Sequence, residues 1–269
     1  MNIQQVVMTP DWAKGLLLNN DHNRKLRPHK VNEIVHDILS GRWMLNPQPI
    51  AIATNGLLLD GQHRLQAIVL ANQSVPLMMA TDCPPECFKT IDIGIVRTNG
   101  DFFKIEGIKN PNNISPVIRY VEFYKKIPHL IWNHSSLPLS KTEIHDLYME
   151  QQSFYDMAIE FALRAYQRCR QVNPSILAAL IALCENTELA CEFAEHLGSG
   201  AGLKSTSPIY VWRQVLINGN VQRSRTHGMA NSQLMMAGFI KSYNCWRQGI
   251  EMKRFNLPNI PPMPTIVDF

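Results

Sequence analysis

The sequence predicts an α+β protein in which a small module of helices and strands is followed by an all-helical domain. Up to about residue 105, short apolar runs are bounded by glycine, proline and asparagine, which is typical of strands joined by turns. Beyond about residue 110, apolar residues recur at three- and four-residue intervals in one segment after another, which indicates helices. We therefore predict a first domain at 1–107, a helical domain at 111–256 and a proline-rich tail at 257–269.

Two helices open the first module. Thr9 followed by Pro10 predicts a helix start, because threonine caps helix N-termini and proline fits the first helical position. Apolar residues at helical spacing predict a second helix at 28–40, which ends at Gly41. The segment between the two helices, 22–28, is a basic loop.

The strands of the module surround one short box of sequence. A strand at 50–53 leads through a hairpin-type turn into a second strand at 56–59. The box at 60–64 comes directly after it and reads Asp-Gly-Gln-His-Arg, and apolar residues at helical spacing come after the box. A strand at 75–80 and a short helix at 84–88 complete the module.

The second domain is predicted to contain helices joined by short loops. Its apolar residues follow the helical period in each of seven segments. These segments are 116–125, 141–151, 154–170, 175–186, 190–197, 208–217 and 231–248.

The composition is that of a globular protein, with 45% hydrophobic and 18% charged residues among 269. No stretch approaches the roughly 18 consecutive apolar residues of a membrane helix, and the N-terminus lacks the pattern of a signal peptide. The six cysteines are scattered, which is typical of a reduced protein. We therefore expect a cytoplasmic protein without a membrane partner.

Positive charge is concentrated toward the C-terminus. From Lys204 onward, eight Lys and Arg residues stand against two acids, whereas the whole chain carries a net charge of only +4. This basic third is either a nucleic-acid surface or a solvated helix face. The candidate nucleic-acid contacts are Arg223, Arg225, Lys241 and Arg247. The aromatic residues interleaved with them, which either stack on bases or belong to the core, are Tyr210, Trp212, Tyr243 and Trp246.

The box at 60–64 carries the strongest functional signal. A strand that turns at Gly61 into a helix presents the free N–H groups and partial positive charge of a helix N-terminus, which attract anions. His63 and Arg64 add donors there, so a phosphate or nucleotide site is predicted. Asp60 is a Mg²⁺ ligand, a catalytic base or merely the cap of the helix, in which case Arg64 is a surface charge. His63 could serve as an acid or as a donor that stabilises charge.

The box and its surroundings resemble the ParB/sulfiredoxin-like superfamily. The points of resemblance are Asn23-Arg24 in a basic loop, a helix ending at Gly41, a strand near Ile50, the box at 60–64, and Ala67 behind it. At this position, partition ParB proteins carry Gly-Glu-Arg-Arg, and free-serine kinases carry Asp-Gly-His-His-Arg. Sulfiredoxins carry Gly-Cys-His-Arg, and subunits of modification-dependent restriction systems carry Asp-Gly-Gln-Gln-Arg. The resemblance implies that the first domain has this fold and contacts phosphate or a nucleotide. Gln62 stands where sulfiredoxins have cysteine, so sulfinic-acid reduction is not implied.

The whole chain also resembles a group of proteins common in phages and mobile elements of bacteria. The matching segments are 22–24, 27–28, 41–43, 60–64, 90–94 with 97–98, and 246–249. The resemblance implies the cytoplasm of a bacterial host cell. In relatives the basic loop faces the phosphates, which implies that role for Asn23, Arg24 and Arg27. Arg97 and Thr98 come after the last strand, where loops of such folds close over a ligand. The alternative role for Arg97 and Thr98 is a structural turn, and the alternative role for Arg24 is ion pairing.

These observations support two functions of different classes. The first is a nucleotide-dependent phosphotransferase or NTPase that uses a nucleoside triphosphate with Mg²⁺ and acts on a small hydroxyl compound or a hydroxymethylated DNA base. The predicted catalytic residues are Asp60 and His63, with Asp60 as the candidate Mg²⁺ ligand; the predicted phosphate- or nucleotide-binding residues are Asn23, Arg24, Gly61, Gln62, His63, Arg64, Arg97 and Thr98. The alternative is a non-catalytic ParB-like module that binds DNA or regulates a partner, which the basic C-terminal third favours.

Overall fold

The computed structural model describes residues 1–20, 23–91, 97–132, 136–219, 231–257 and 262–267. Its contacts divide the chain into two compact units. The first contains Met1–Val96 and Pro138–Thr142, and the second contains Arg97–Leu137 and Glu143–Phe269. The α+β class is confirmed, since a small four-stranded sheet at the N-terminus is followed by helices. The ParB-like fold and the predicted domain limits remain predictions.

The first unit contains one sheet and three α-helices. In chain order its elements are β1 (Asn2–Met8), α1 (Pro10–Leu17), α2 (Pro28–Leu39), β2 (Ile50–Ala53), β3 (Leu58–Asp60), α3 (Gln62–Ala71), β4 (Val75–Cys83) and a 3₁₀ helix (Pro85–Thr90). The strand order is β1-β4-β2-β3. β4 pairs antiparallel with β1 and parallel with β2, and β2 pairs antiparallel with β3. Thus β3, which leads into the box, is an edge strand beside β2.

Local sequence accounts for the helix starts and turns in this unit. The hydroxyl of Thr9 accepts a hydrogen bond from the Trp12 N–H, so the predicted cap of α1 is confirmed. The turn between β2 and β3 has a left-handed Gly56, with φ of +81°, as a hairpin turn requires. The helices α1 and α2 both pack against α3. The core that they share with the sheet includes Met8, Val31, Ile50, Leu58, Leu65, Ile68 and Leu77.

The first strand was not predicted. Met8 is the one fully buried residue of β1, and the other six are exposed or partly exposed. β1 lies at an edge of the sheet, where only one neighbouring strand covers it. Such a strand lacks the alternation of apolar and polar residues that marks a half-buried strand, so the sequence prediction of the element order was incomplete there.

The second unit is helical in its described residues. Its helices are α4 (Asn99–Ile105), α5 (Pro111–Lys126), α6 (Lys141–Glu150), α7 (Gln152–Arg168), α8 (Pro174–Leu183), α9 (Thr187–Ser199), α10 (Pro208–Ile217) and α11 (Asn231–Arg247). The apolar helix α8 lies at the centre, packed against α5, α7, α9 and α11. Each of the seven predicted helices is present; α10 has the predicted ends, and the other six differ from the prediction at one or both ends. The short helix α4 was not predicted. In the described part of the chain, none of the helices combines the length and hydropathy needed to cross a bilayer.

Candidate functional site

A sharp turn between β3 and α3 forms the base of the candidate site. Gly61 occupies the N-cap position of α3 with φ of +105°, a left-handed conformation that favours glycine. A side chain there would also overlap the Cδ1 of Ile50 and lie 3.3 Å from both its Cγ1 and Cγ2. Within the described residues, no side chain caps the N-terminus of α3. The predicted strand–turn–helix is therefore present, and it requires glycine at this position.

Asp60 is paired with Arg64 and does not cap the helix. Its Oδ2 accepts a hydrogen bond from Arg64 Nη2 at 3.0 Å, and the two side chains are 34% and 15% exposed. The cap position belongs to Gly61, so the sequence alternative in which Asp60 caps α3 was wrong. The ion pair fixes the direction of the carboxylate while leaving part of it open to solvent.

The guanidinium of Arg64 also holds the chain that leads into β2. It donates to the carbonyl oxygen of Gln48 and, at 2.9 Å, to that of Pro49. Arg64 is thus not the surface charge of the alternative interpretation. Its contacts join the start of α3, the end of β3 and the entry to β2, while its predicted role in phosphate binding remains a prediction.

A network of side-chain amides holds the basic loop against the box. Gln62 is buried; its Nε2 donates to the Arg24 carbonyl at 2.8 Å, and its Oε1 accepts from Asn20 Nδ2 at 3.1 Å. Asn23 Nδ2 donates to Asn20 Oδ1 at 2.8 Å and to the Leu58 carbonyl at 2.7 Å. The two predicted ligand residues Gln62 and Asn23 therefore have partners within the fold. Their hydrogen bonds position the backbone of Arg24 beside the first turn of α3.

His63 is hydrogen-bonded to the start of α2. The backbone N–H of Arg27 donates to its Nε2 at 3.0 Å. Because Nε2 accepts, the proton of the neutral ring lies on Nδ1. Burial lowers the pKa of His63 below its usual 6.5, and the positive charges of Arg24 and Arg27 lower it further, although Asp60 acts in the opposite direction. At neutral pH the ring is uncharged and offers one N–H donor.

The pKa of His63 leads to a testable dependence of stability on pH. Its folded-state pKa lies below the unfolded value of 6.5, so the unfolded chain binds the proton more readily. The stability that neutral His63 contributes is present above pH 6.5 and is lost as pH falls through the folded-state pKa. We therefore expect His63→Ala to lower the free energy of unfolding at pH 7.5, and this difference from wild type to shrink toward pH 5. Urea unfolding at several pH values measures it; a difference that grows on acidification would contradict the assignment.

A pocket of about 260 Å³ opens beside these residues. Its lining consists of Asn23, Arg24, Leu59, Asp60, Gln62, His63, Phe88 and Ile91. The structure thus brings together five of the predicted site residues. Phe88 and Ile91 were not among the predicted site residues, because no periodicity or spacing places them beside the box. In the structure Phe88 is 47% exposed. The pocket therefore has a polar wall from the basic loop and α3, and an apolar wall from the 3₁₀ helix and β3.

The predicted residues Arg97 and Thr98 belong to the second unit. Thr98 is the N-cap of α4, where its hydroxyl accepts from the Asp101 N–H at 3.2 Å. The Asp101 carboxylate accepts in return from the Thr98 backbone N–H at 2.6 Å, which completes a capping box. The structural-turn alternative therefore describes Thr98 well. A ligand role for Arg97 and Thr98 remains a prediction.

The basic C-terminal residues predicted to contact nucleic acid are only partly described. Arg223 and Arg225 lie outside the described residues. Lys241 donates to the Asn256 carbonyl at 2.6 Å, and Arg247 is half-buried at the end of α11. Among the interleaved aromatics, Trp212 and Tyr243 are fully buried, so these two belong to the core; Tyr210 and Trp246 are half-buried. Nucleic-acid binding by this third of the chain remains a prediction.

A metal ion at Asp60 would need further oxygen ligands from phosphate groups or water. Across the part of the chain that is described, no group of three or more His, Cys, Asp and Glu side chains is arranged to hold a metal ion. Asp60 itself offers a partly exposed carboxylate, which suits Mg²⁺, an ion commonly bound by one or two carboxylates with phosphates and water. The chemistry of this residue therefore fits a Mg²⁺ ion that arrives with a phosphate ligand.

Comparisons of the chain with protein-family models, with curated proteins and with solved structures found no significant match. The resemblance of the box to the ParB/sulfiredoxin-like superfamily therefore remains a prediction from sequence.

Proposed function

We propose that the pocket beside α3 binds the phosphates of a nucleotide, and that the protein is a nucleotide-dependent phosphotransferase or NTPase. One observation carries the proposal: a single pocket is lined by an arginine, a neutral histidine, a carboxylate and the start of a helix. These groups have complementary uses in phosphoryl transfer, where positioning and charge neutralisation supply most of the catalysis.

The binding part of the proposal rests on the donors around the pocket. The N-terminus of α3 provides N–H groups and partial positive charge, which favour an anion. Arg24 is exposed and lines the pocket, and the hydrogen bond from Gln62 to its carbonyl fixes the main chain from which the side chain extends. His63 adds a neutral N–H donor. The exposed ring of Phe88 provides an apolar surface against which a nucleobase can pack.

The catalytic part rests on Asp60. A carboxylate on the wall of a phosphate site repels a bare phosphate, so a site that only binds phosphate gains nothing from Asp60. Oriented by Arg64, it is suited to hold the Mg²⁺ of a nucleoside triphosphate or to take the proton of an attacking hydroxyl group. The acceptor would be water, a small hydroxyl compound or a hydroxymethylated DNA base.

A second candidate function is a non-catalytic module that binds a nucleotide or DNA. The ion pair between Asp60 and Arg64 favours it, because the pair partly neutralises the carboxylate and gives it a role in the fold. In this case the same pocket would bind phosphate without turnover, and the helical unit would contact DNA or a partner protein.

Thermal unfolding in the presence of nucleotides tests the binding proposal. We expect ATP, CTP or GTP with Mg²⁺ to stabilise the wild type, since a ligand at 100 times its Kd adds about 2.7 kcal/mol. Arg24→Ala should weaken nucleotide binding about 10- to 100-fold, because a hydrogen bond to a charged group contributes about 1.5–3 kcal/mol. Lys25→Ala is the matched control, since Lys25 is also an exposed cation of the basic loop but does not line the pocket.

The pattern of variants decides the outcome. Equal losses for Arg24→Ala and Lys25→Ala would mean that only general positive charge attracts the nucleotide. If no nucleotide stabilises the wild type while duplex DNA does, the DNA-binding module replaces the enzyme. If neither nucleotides nor duplex DNA stabilise the wild type against thermal unfolding, the pocket is not a phosphate site.

A further inference from the structure

The C-terminal segment 262–267 belongs to the second unit and is held against the helices of that unit through its main chain. The hydroxyl of Tyr124, on α5, donates to the Pro264 carbonyl at 3.1 Å and accepts from the Ile266 N–H at 2.9 Å. One side chain therefore satisfies two main-chain groups of the segment. This arrangement needs no particular side chain at either position.

Asn244, on α11, makes the same kind of double contact one residue further along. Its Nδ2 donates to the Thr265 carbonyl at 2.8 Å, and its Oδ1 accepts from the Val267 N–H at 3.0 Å. A side-chain amide with one donor and one acceptor thus pairs with the segment as a neighbouring strand would. Together Tyr124 and Asn244 contact four consecutive residues, and we call this pair the clamp.

One side chain anchors the segment. Met263 is only 6% exposed, and its backbone N–H donates to the Pro128 carbonyl at 2.8 Å. The next residue is proline, which has no N–H and favours an extended chain. Thr265, by contrast, is exposed. The contacts therefore recognise an extended backbone with a buried methionine at its start, and tolerate variation at Thr265.

The chain is fixed separately before this segment begins. The ring of Phe255 packs on Trp212 at a centroid distance of 4.7 Å, and the Asn256 carbonyl accepts from Lys241. Further back, the Met252 N–H donates to the Thr206 carbonyl at 2.7 Å. Release of the clamped segment would leave these contacts intact, so it does not require the helical unit to unfold.

We propose that the clamp is a peptide-binding site that the C-terminal segment occupies as an exchangeable ligand in cis. Its ligand class is an extended peptide that begins with a buried methionine followed by proline. Main-chain recognition plus one anchoring side chain is a general mode of peptide binding. The site is independent of the pocket in the first unit, and its test does not depend on nucleotide binding.

A fluorescent capped peptide with the sequence of 262–267, Pro-Met-Pro-Thr-Ile-Val, tests the proposal with the full-length chain. In the wild type the cis segment competes, whereas Met263→Asp removes its anchor and frees the clamp. We expect the peptide to bind Met263→Asp at least about tenfold more tightly than wild type. In the wild type the peptide can bind only the molecules whose own segment has left the clamp, so its apparent affinity is reduced in proportion to that fraction. A peptide with aspartate in place of its methionine should not bind.

Matched variants assign the binding to the clamp. Added to Met263→Asp, Tyr124→Phe removes the hydroxyl and should weaken peptide binding about tenfold, as the loss of two hydrogen bonds implies. Tyr120→Phe, one turn earlier on α5, should leave the affinity unchanged, because its ring contacts Trp132. If Met263→Asp is folded by circular dichroism and binds the peptide no better than wild type, the proposal is wrong. It is also wrong if both tyrosine variants behave alike.

Hydrogen exchange on the wild type provides a second measurement that needs no variant. The amides of Met263, Ile266 and Val267 should exchange together and faster than the core amides of α11, since the segment opens without global unfolding. Exchange of these amides only at the rate of global unfolding would show that the segment is a permanent part of the core, which would overturn the proposal.

Discussion

Replacing Gly61 with alanine is expected to lower the free energy of unfolding by about 2–5 kcal/mol. Two effects add. A non-glycine residue in the left-handed region costs about 1–2 kcal/mol, and overpacking a core costs about 1–3 kcal/mol. Both apply here, because Gly61 has φ of +105° and faces the fully buried side chain of Ile50. Chemical denaturation measures the loss.

A second glycine separates the two effects. Gly56 also has a left-handed backbone, with φ of +81°, but an added Cβ would meet nothing within 4 Å. We therefore expect Gly56→Ala to cost only the backbone term, about 1–2 kcal/mol. If Gly56→Ala is as destabilising as Gly61→Ala, the contact with Ile50 contributes nothing and the steric argument is wrong.

The contact itself can be isolated by a double-mutant cycle. Ile50→Val removes Cδ1, the atom that an alanine at 61 would overlap, and alone should cost about 0.5–1.5 kcal/mol. Combined with Gly61→Ala, Ile50→Val relieves part of the clash. The double variant should therefore lose about 1 kcal/mol less unfolding free energy than the sum of the losses of the two single variants. Strict additivity would contradict this.

The requirement for glycine at this turn could be anticipated from sequence, because the signals are local. A strand pattern, a glycine and a helical pattern succeed one another within a few residues, and each is set by backbone sterics. The pairing of Asp60 with Arg64 had a weaker local signal, the spacing of four residues. Asp60 lies before the helix, however, so helical spacing alone could not choose between a cap and an ion pair.

The rest of the site depends on contacts between distant parts of the chain. Gln62 has the residue type of a phosphate ligand and equally that of a buried amide with partners. Which role it plays depends on whether Asn20 and Arg24, about 40 positions earlier, fold back onto it. The apolar wall from Phe88 likewise depends on where the 3₁₀ helix lies after β4. Neither relationship can be deduced from periodicity or spacing, because both are set by tertiary packing.

The role of Asp60 distinguishes the two proposed functions, a nucleotide-dependent enzyme and a binding module. The variant Asp60→Asn tests which of them is right. We expect this variant to lower nucleotide turnover at least about 100-fold, within the range for loss of a catalytic acid or base. The fold should survive, because asparagine keeps an oxygen that can accept from Arg64, and a partly exposed ion pair contributes about 1 kcal/mol or less. Release of inorganic phosphate, measured over a range of Mg²⁺ concentrations, provides the readout. Partial rescue by high Mg²⁺ would identify Asp60 as a metal ligand, and its absence would favour a base.

Asp82→Asn is the matched control for charge, since it also removes one acid from the first unit but does not line the pocket. It should turn over like wild type. The decisive contrary result is a wild type that binds nucleotide without turnover, together with an Asp60→Asn variant that binds nucleotide more tightly. In that case the carboxylate only repels phosphate and its purpose is the ion pair with Arg64. The pocket would then belong to a binding module, because the wild type binds nucleotide without turning it over and Asp60 only weakens that binding.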